Sequence, residues 1–276
     1  MAGRALRLSA NKGLRLRAGA LLPWALLALA AAVQLAGTGP AIALGLAFFI
    51  AGLPHGAADD DGRRIARWKP LGIAVYLLVA ASLALFALAQ PLAALVVFLL
   101  LSAWHFATHE PGLYGWAIGL TAIGGSALWQ GEATAAVFAA VTGAPVPGAM
   151  MMALAAVGGT GLVLAALSAR RDPAGSVLLL AAPALLHPVL AVGLIFLAAH
   201  AAPVLASQMQ RYGVGNVARA VWPTALAAAL GSAALIAAVL LGWTALPLAA
   251  AFAIALATPH MLLDRLDEPQ PAALPA

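Results

Sequence analysis

The sequence contains no cysteine, and only 8% of its 276 residues are charged. The first absence excludes disulfides, iron–sulfur clusters and thiolate zinc sites, and leaves the redox compartment open. The second excludes a water-soluble globular domain, in which about a quarter of the residues carry charge. It also excludes intrinsic disorder, which needs many charges and few apolar groups. Acidic residues are scarcer still, nine in all, and aromatic residues make up 7%. What fills the chain is apolar: 64% of it is hydrophobic, with a mean hydropathy of +1.01. The apolar runs are long, unbroken and rich in Ala and Leu, unlike the short alternating segments of a membrane β-barrel. At ~20 residues per crossing, they predict an all-α protein, a polytopic transmembrane bundle of about 9–10 helices.

The runs place spans at 18–36, 40–56, 70–89, 91–109, 113–129, 148–168, 221–241 and 245–265, with a further pair inside 174–209. The start of the chain is basic and then apolar, like a signal peptide. Its apolar run is long enough to span and lacks a clear cleavage site, so it reads as a retained first helix. Gly37 to Pro40 is a turn, and Pro91 and Pro111 restart or stop helices. Residues 130–147, with Gly131, Gly143, Pro145 and Pro147, read as a loop holding at most a short helix. The stretch 174–209 is too long for one crossing at ~1.5 Å per residue, and His187-Pro188 is where it should break. The chain divides into a basic cytoplasmic tail (1–17), one multi-pass membrane domain (18–266) and a Pro-rich, disordered tail (267–276).

Charge supports this threading. With a cytoplasmic N-terminus and alternating spans, Arg4, Arg7, Lys12, Arg15 and Arg17 fall on the cytoplasmic side. So do Arg63, Arg64, Arg67, Lys69, Arg170, Arg171, Arg211, Arg219 and Arg265, which completes all fourteen basic residues. The opposite loops hold only Glu132. This is the positive-inside pattern, and it accounts for the net charge of +5 through membrane orientation, with no nucleic-acid partner.

Ionisable groups at membrane depth point to function, and here they are the six histidines. His55, His105, His200 and His260 come from four different helices. Each lies roughly one to three turns inside the cytoplasmic face, judged from the charged residues that follow it. If those helices adjoin, four imidazoles converge in one layer, which is how a helix bundle builds a metal site. Neutral imidazole suits iron, copper or zinc, and with no Cys and few carboxylates such a site must be wholly or mostly His. His109 shares a helix face with His105, four residues earlier, and either reaches the site or is solvated at the helix end. His187 lies near the opposite face and reads as a helix-break residue. Gly52 and Gly56 bracket His55 and permit close approach of another helix or a ligand. Asp59 and Glu110 are placed to accept an imidazole N–H, although Asp59 sits in a run of loop charges. Trp104, Phe106, Phe196 and Met261 neighbour the candidate ligands and read as the lining of an apolar tunnel or as ordinary packing.

The segments PHGAADD, SAWHFATHE, HPVLAVGLIFLAAH and TPHMLL, in that order over roughly 45–265, resemble the Brp/Blh family of β-carotene 15,15′-dioxygenases. The resemblance implies an integral enzyme of the inner membrane. It would use non-haem Fe(II) and O₂ to split the central double bond of a carotenoid into retinal, for delivery to a rhodopsin. By motif, His55, His105 and His200 match iron-ligand positions, and His260 stands in the PHM motif. The chain departs from the family where a later helix usually carries His-x-x-x-His: here Val204 follows His200. It also has Ala107 where the family has glycine, and Glu110 for Asp. The competing reading is a non-catalytic or divergent membrane protein that binds metal or haem, or a metal transporter. A transporter would be expected to show polar residues through both leaflets, and the outer half of this chain is almost bare of them.

The charge distribution generates a topological test. Reporter fusions at about Gly37 and Pro269 should report opposite sides of the membrane, with the C-terminal reporter cytoplasmic. The same side for both would break the threading.

Overall fold

The computed structural model describes residues 21–59, 70–110 and 112–266. The basic tail 1–17, the charged residues 60–69 and the tail 267–276 lie outside them, as do the side chains of Asp59, His109 and His260. Among the described residues every regular element is helical. The order is α1 (Leu21–Leu35), α2 (Thr38–Gly52), α3 (Pro54–Asp59), α4 (Pro70–Ala89), α5 (Pro91–His109), α6 (Leu113–Trp129) and α7 (Gly131–Thr142). It continues with α8 (Gly148–Ser168), α9 (Pro173–Leu185), α10 (Pro188–Ile195), a π-helical turn (Phe196–Ala201), α11 (Ala202–Tyr212), α12 (Val214–Leu240) and α13 (Leu246–Leu266).

The chain is an all-α polytopic bundle. Four helical stretches are long and apolar enough to cross a membrane: Thr38–Gly56, Pro91–Thr108, Gly148–Ser168 and Pro188–Tyr212. The bent pair Val214–Pro223 and Ala225–Leu240 makes a fifth if counted as one span. Shorter apolar helices, such as Leu21–Leu35 and Pro173–Leu185, complete the bundle. Large apolar side chains point outward, among them Leu78, Leu85, Leu100 and Leu167. Such a surface suits acyl chains, and the helices keep their backbone hydrogen bonds internal, as the bilayer demands.

Proline and glycine punctuate the chain as the sequence predicts. Pro91, Pro173 and Pro188 open their helices, where a missing N–H costs nothing. Gly143 ends α7 with φ of 68°, a left-handed conformation that glycine adopts without strain. Two boundaries differ from expectation. The segment 130–147 forms a 12-residue helix, α7, because its GEATAAVFAAVT stretch holds no breaker between the flanking glycines. Helix α12 begins at Val214 rather than at 221, and bends at Pro223 instead of starting near it.

Small residues set the packing. Helix α6 lies at the centre, with most of its residues buried. A side chain at Gly115 or Gly119 would overlap backbone carbonyls of α5, at Ala107 and Ala103 respectively. One at Gly124 would overlap the backbone of α8 around Leu154 and Gly158. Gly45 and Gly193 bring α2 and α10 equally close. With no hydrophobic drive between helices in lipid, backbone-close van der Waals packing holds such a bundle together.

The expected break at His187-Pro188 is present and is a reversal. Helix α9 runs parallel to α6: Gly175 packs by Tyr114 near the start of α6, and Pro183 by Gly125 near its end. Helix α10 runs alongside α2 toward the opposite end, from Val189 beside Gly45 to Phe196 beside Gly52. Two glutamines satisfy the backbone groups freed at the turn. Gln130 Nε2 donates to the carbonyls of Pro183 (2.8 Å) and Leu186 (2.6 Å). The His187 N–H donates to Gln34 Oε1 at 2.9 Å, and His187 Nδ1 accepts from the Val189 N–H at 3.3 Å. His187 is thus the structural break residue that its place before proline suggests.

Adjacent glycines on α8 test the packing. A methyl on Gly158 would overlap the Gly124 backbone, whereas one on Gly159 would only touch Leu128 at 3.9 Å. Gly158→Ala is expected to destabilise the protein by about 1–3 kcal/mol, the usual cost of overpacking. Gly159→Ala should be neutral or slightly stabilising. Thermal unfolding midpoints in detergent measure both.

Candidate metal centre

Three of the four layered histidines meet. His55 stands on the short helix α3, His105 near the end of α5, and His200 in the π turn. All three are buried, at 5%, 2% and 2% exposure. Their ring centroids are 6.0 Å (His55–His105), 4.8 Å (His55–His200) and 5.1 Å (His105–His200) apart. One ring nitrogen from each lies within 4.8 Å of the others. Three elements far apart in sequence therefore aim imidazoles at one point. His187 lies at the other end of the bundle, as the parallel courses of α10 and α2 require.

The local chain explains each placement. Helix α2 ends at Gly52, and its last carbonyls have no intrahelical partner. The chain turns at Leu53 and restarts at Pro54, which folds the His55 ring back so that its Nδ1 meets the Gly52 carbonyl at 2.7 Å. A carbonyl only accepts, so Nδ1 carries the proton and Nε2 presents its lone pair. That Nε2 lies 3.2 Å from Nε2 of His200.

The π turn follows from Pro203. Proline lacks an N–H and its ring collides with the carbonyl four residues back, at Ala199. The helix widens just before it, and the Ala202 N–H reaches the Leu197 carbonyl, five residues earlier. Such one-turn bulges recur at functional sites. Here the wider turn puts Phe196 and His200 on one face, with rings 6.0 Å apart and stacked at 30°. Val204 follows on α11, half-buried.

Aromatic rings wall the trio. Phe106 lies 4.6 Å from His200 and 5.9 Å from His105. Phe196 meets His55 edge-on at 5.3 Å and contacts Phe106 at 5.8 Å. Phe49 stacks on Phe196 at 5.5 Å. Met261 is buried, and its sulfur accepts from the Ser102 hydroxyl at 3.8 Å, one turn before His105. Trp104 is half-buried on α5. Glu110 caps the far end of α5, partly exposed. The side chains of His109, His260 and Asp59 lie outside the described residues, although the backbone of His260 continues α13 beside Met261. Sequence reasoning missed Phe49, which nothing distinguishes from its neighbour Phe48. It also missed the Gly52 carbonyl, a backbone group that no residue type announces.

The donor set fits a transition metal. Neutral imidazoles with one fixed tautomer offer lone pairs in a dry site, and borderline ions such as Fe(II), Zn(II) and Cu(II) accept them. Two nitrogens each bound at about 2.0–2.1 Å stand roughly 3 Å apart, which is the His55–His200 separation. His55, His105 and His200 can therefore hold a metal ion.

Among known proteins, residues 46–266 match the family model described as beta-carotene 15,15'-dioxygenase. No curated protein and no solved structure matches the chain.

Removing any one imidazole should leave two donors, too few for tight retention. His55→Ala, His105→Ala and His200→Ala are each expected to lose bound divalent metal, measured by elemental analysis of purified protein. His187→Ala, at the other end, should keep it. Equal metal content in all four would dissolve the centre.

Proposed function

Since this chain belongs to the beta-carotene 15,15'-dioxygenase family, we propose that it is a membrane-embedded non-haem iron dioxygenase that cleaves β-carotene, or a related carotenoid, at its central double bond to give retinal. The observation that carries this reading is the convergence of three buried imidazoles within an apolar, aromatic-walled bundle. His55, His105 and His200 would hold Fe(II), with His260 or His109 as a further ligand. An iron ion with open positions would supply the activation of O₂ that cleavage of an alkene requires.

The remaining chemistry belongs to the protein. The Gly52 carbonyl holds His55 in the tautomer that binds metal and raises its basicity. Phe49, Phe106 and Phe196 exclude water and offer flat apolar faces to a conjugated chain, and Met261 adds a polarisable wall. A carotenoid dissolves in acyl chains, so it reaches the centre laterally from lipid. Glu110 and Asp59 would act as imidazole partners from the rim. The protein would sit in the cell's inner membrane with both termini cytoplasmic, and a rhodopsin is a fitting recipient for its product.

The test is expression in β-carotene-accumulating bacteria, with iron content and extracted retinal as readouts. Wild type should bleach the cells and yield retinal, and His105→Ala should do neither. Val204→His should raise iron occupancy if a fourth imidazole is limiting. Loss of iron and activity in only one of His109→Ala and His260→Ala would name the ligand supplied in its place. A Soret band in the purified protein would favour a haem protein instead. Absence of iron from every variant and from wild type would end the metalloenzyme reading.

A further inference from the structure

We infer that Gly52 is a positioning residue for the histidine centre, through its carbonyl at His55 and through the side chain it lacks, which leaves room for the Phe196 ring. The inference rests on the metal-binding reading of the trio. Its first half is the 2.7 Å contact from His55 Nδ1 to the Gly52 carbonyl, which turns Nε2 toward His200. Its second half is steric. A methyl on Gly52 would stand 2.8 Å from Phe196 Cδ1 and closer still to Cε1. The ring would have to move.

That ring has little freedom. Phe49 stacks on one side of it, Phe106 lies against another, and the remaining neighbours are the imidazoles of His55 and His200. The Phe residues at 106 and 196 are buried, as are both histidines. In a close-packed interior a displaced ring transmits its shift to what it touches. The smallest possible side chain at residue 52 therefore reaches two candidate ligands at once: His55 through the shared backbone turn and the ring edge, and His200 through the ring face. Gly52 has no positive φ and sits in a helix, where alanine is otherwise the better residue. An effect of Gly52→Ala on the centre then comes from Phe196 rather than from the backbone.

The experiment uses purified full-length protein in detergent, titrated with Co(II), whose visible ligand-field band reports the donor set. Wild type is expected to bind Co(II). Gly52→Ala should bind it about 10–100-fold more weakly, the range typical of lost ligand support, and with a shifted band. Phe196→Leu removes the obstructing ring atoms, so Gly52→Ala/Phe196→Leu should bind within a few-fold of Phe196→Leu alone. Wild-type affinity and an unshifted band in Gly52→Ala would overturn the inference and leave the metal reading standing. A double variant no better than Gly52→Ala would also overturn it. If Gly52→Ala is not recovered folded, the double variant carries the test, and its loss as well would place the cost of the methyl elsewhere and overturn the inference. A wild type that takes up no Co(II) would end both readings.

Discussion

A bilayer interior offers no hydrogen bonds, so each polar atom carried into it must find its partner within the protein. The architecture follows from that constraint at two places. At the α9–α10 reversal the freed carbonyls and the His187 N–H are met by Gln130 and Gln34. At the other end three imidazoles are gathered where they can serve one another or a shared ion. Polar side chains are few, and those buried deeply are grouped rather than scattered. The apolar remainder is left to pack by shape.

Shape here means glycine. The contacts of α5, α6 and α8, and of α2 with α10, bring backbones together at positions where a single added carbon would collide. The result is a rigid frame around α6, and the rings of Phe49, Phe106 and Phe196 occupy the space beside the trio. A stiff frame suits the site, because imidazoles aimed at a common point lose that aim through small shifts of the helices that carry them.

Much of this was legible in the chain. Helix ends follow prolines and glycines, and span lengths follow apolar runs, because both depend on local sequence. The grouping of His55, His105 and His200 was legible from depth, since each sits at a similar distance from the charged end of its helix. The closeness of those helices was not, because it depends on which glycine faces which backbone. The two glutamines looked like loop residues until the reversal placed carbonyls beside them. Helix α7 was hidden by its flanking glycines and prolines, which end a helix without forbidding one between them. Phe196 was legible as a neighbour of His200, but the contact of its ring with Gly52 was not. That contact exists only because α10 and α2 run side by side.

The π turn makes residue count matter as much as residue identity. An α-helix advances about 100° per residue, and the bulge before Pro203 absorbs one residue's worth of rotation inside a continuous helical segment. Everything after it, including α11 and the start of α12 against α3, keeps its facing only while that residue is present. The segment from Pro188 to Pro203 thus behaves as a gauge block of fixed length. A side chain in it can be exchanged without disturbing the alignment of the two halves of the protein, but a residue cannot be removed without turning one half against the other.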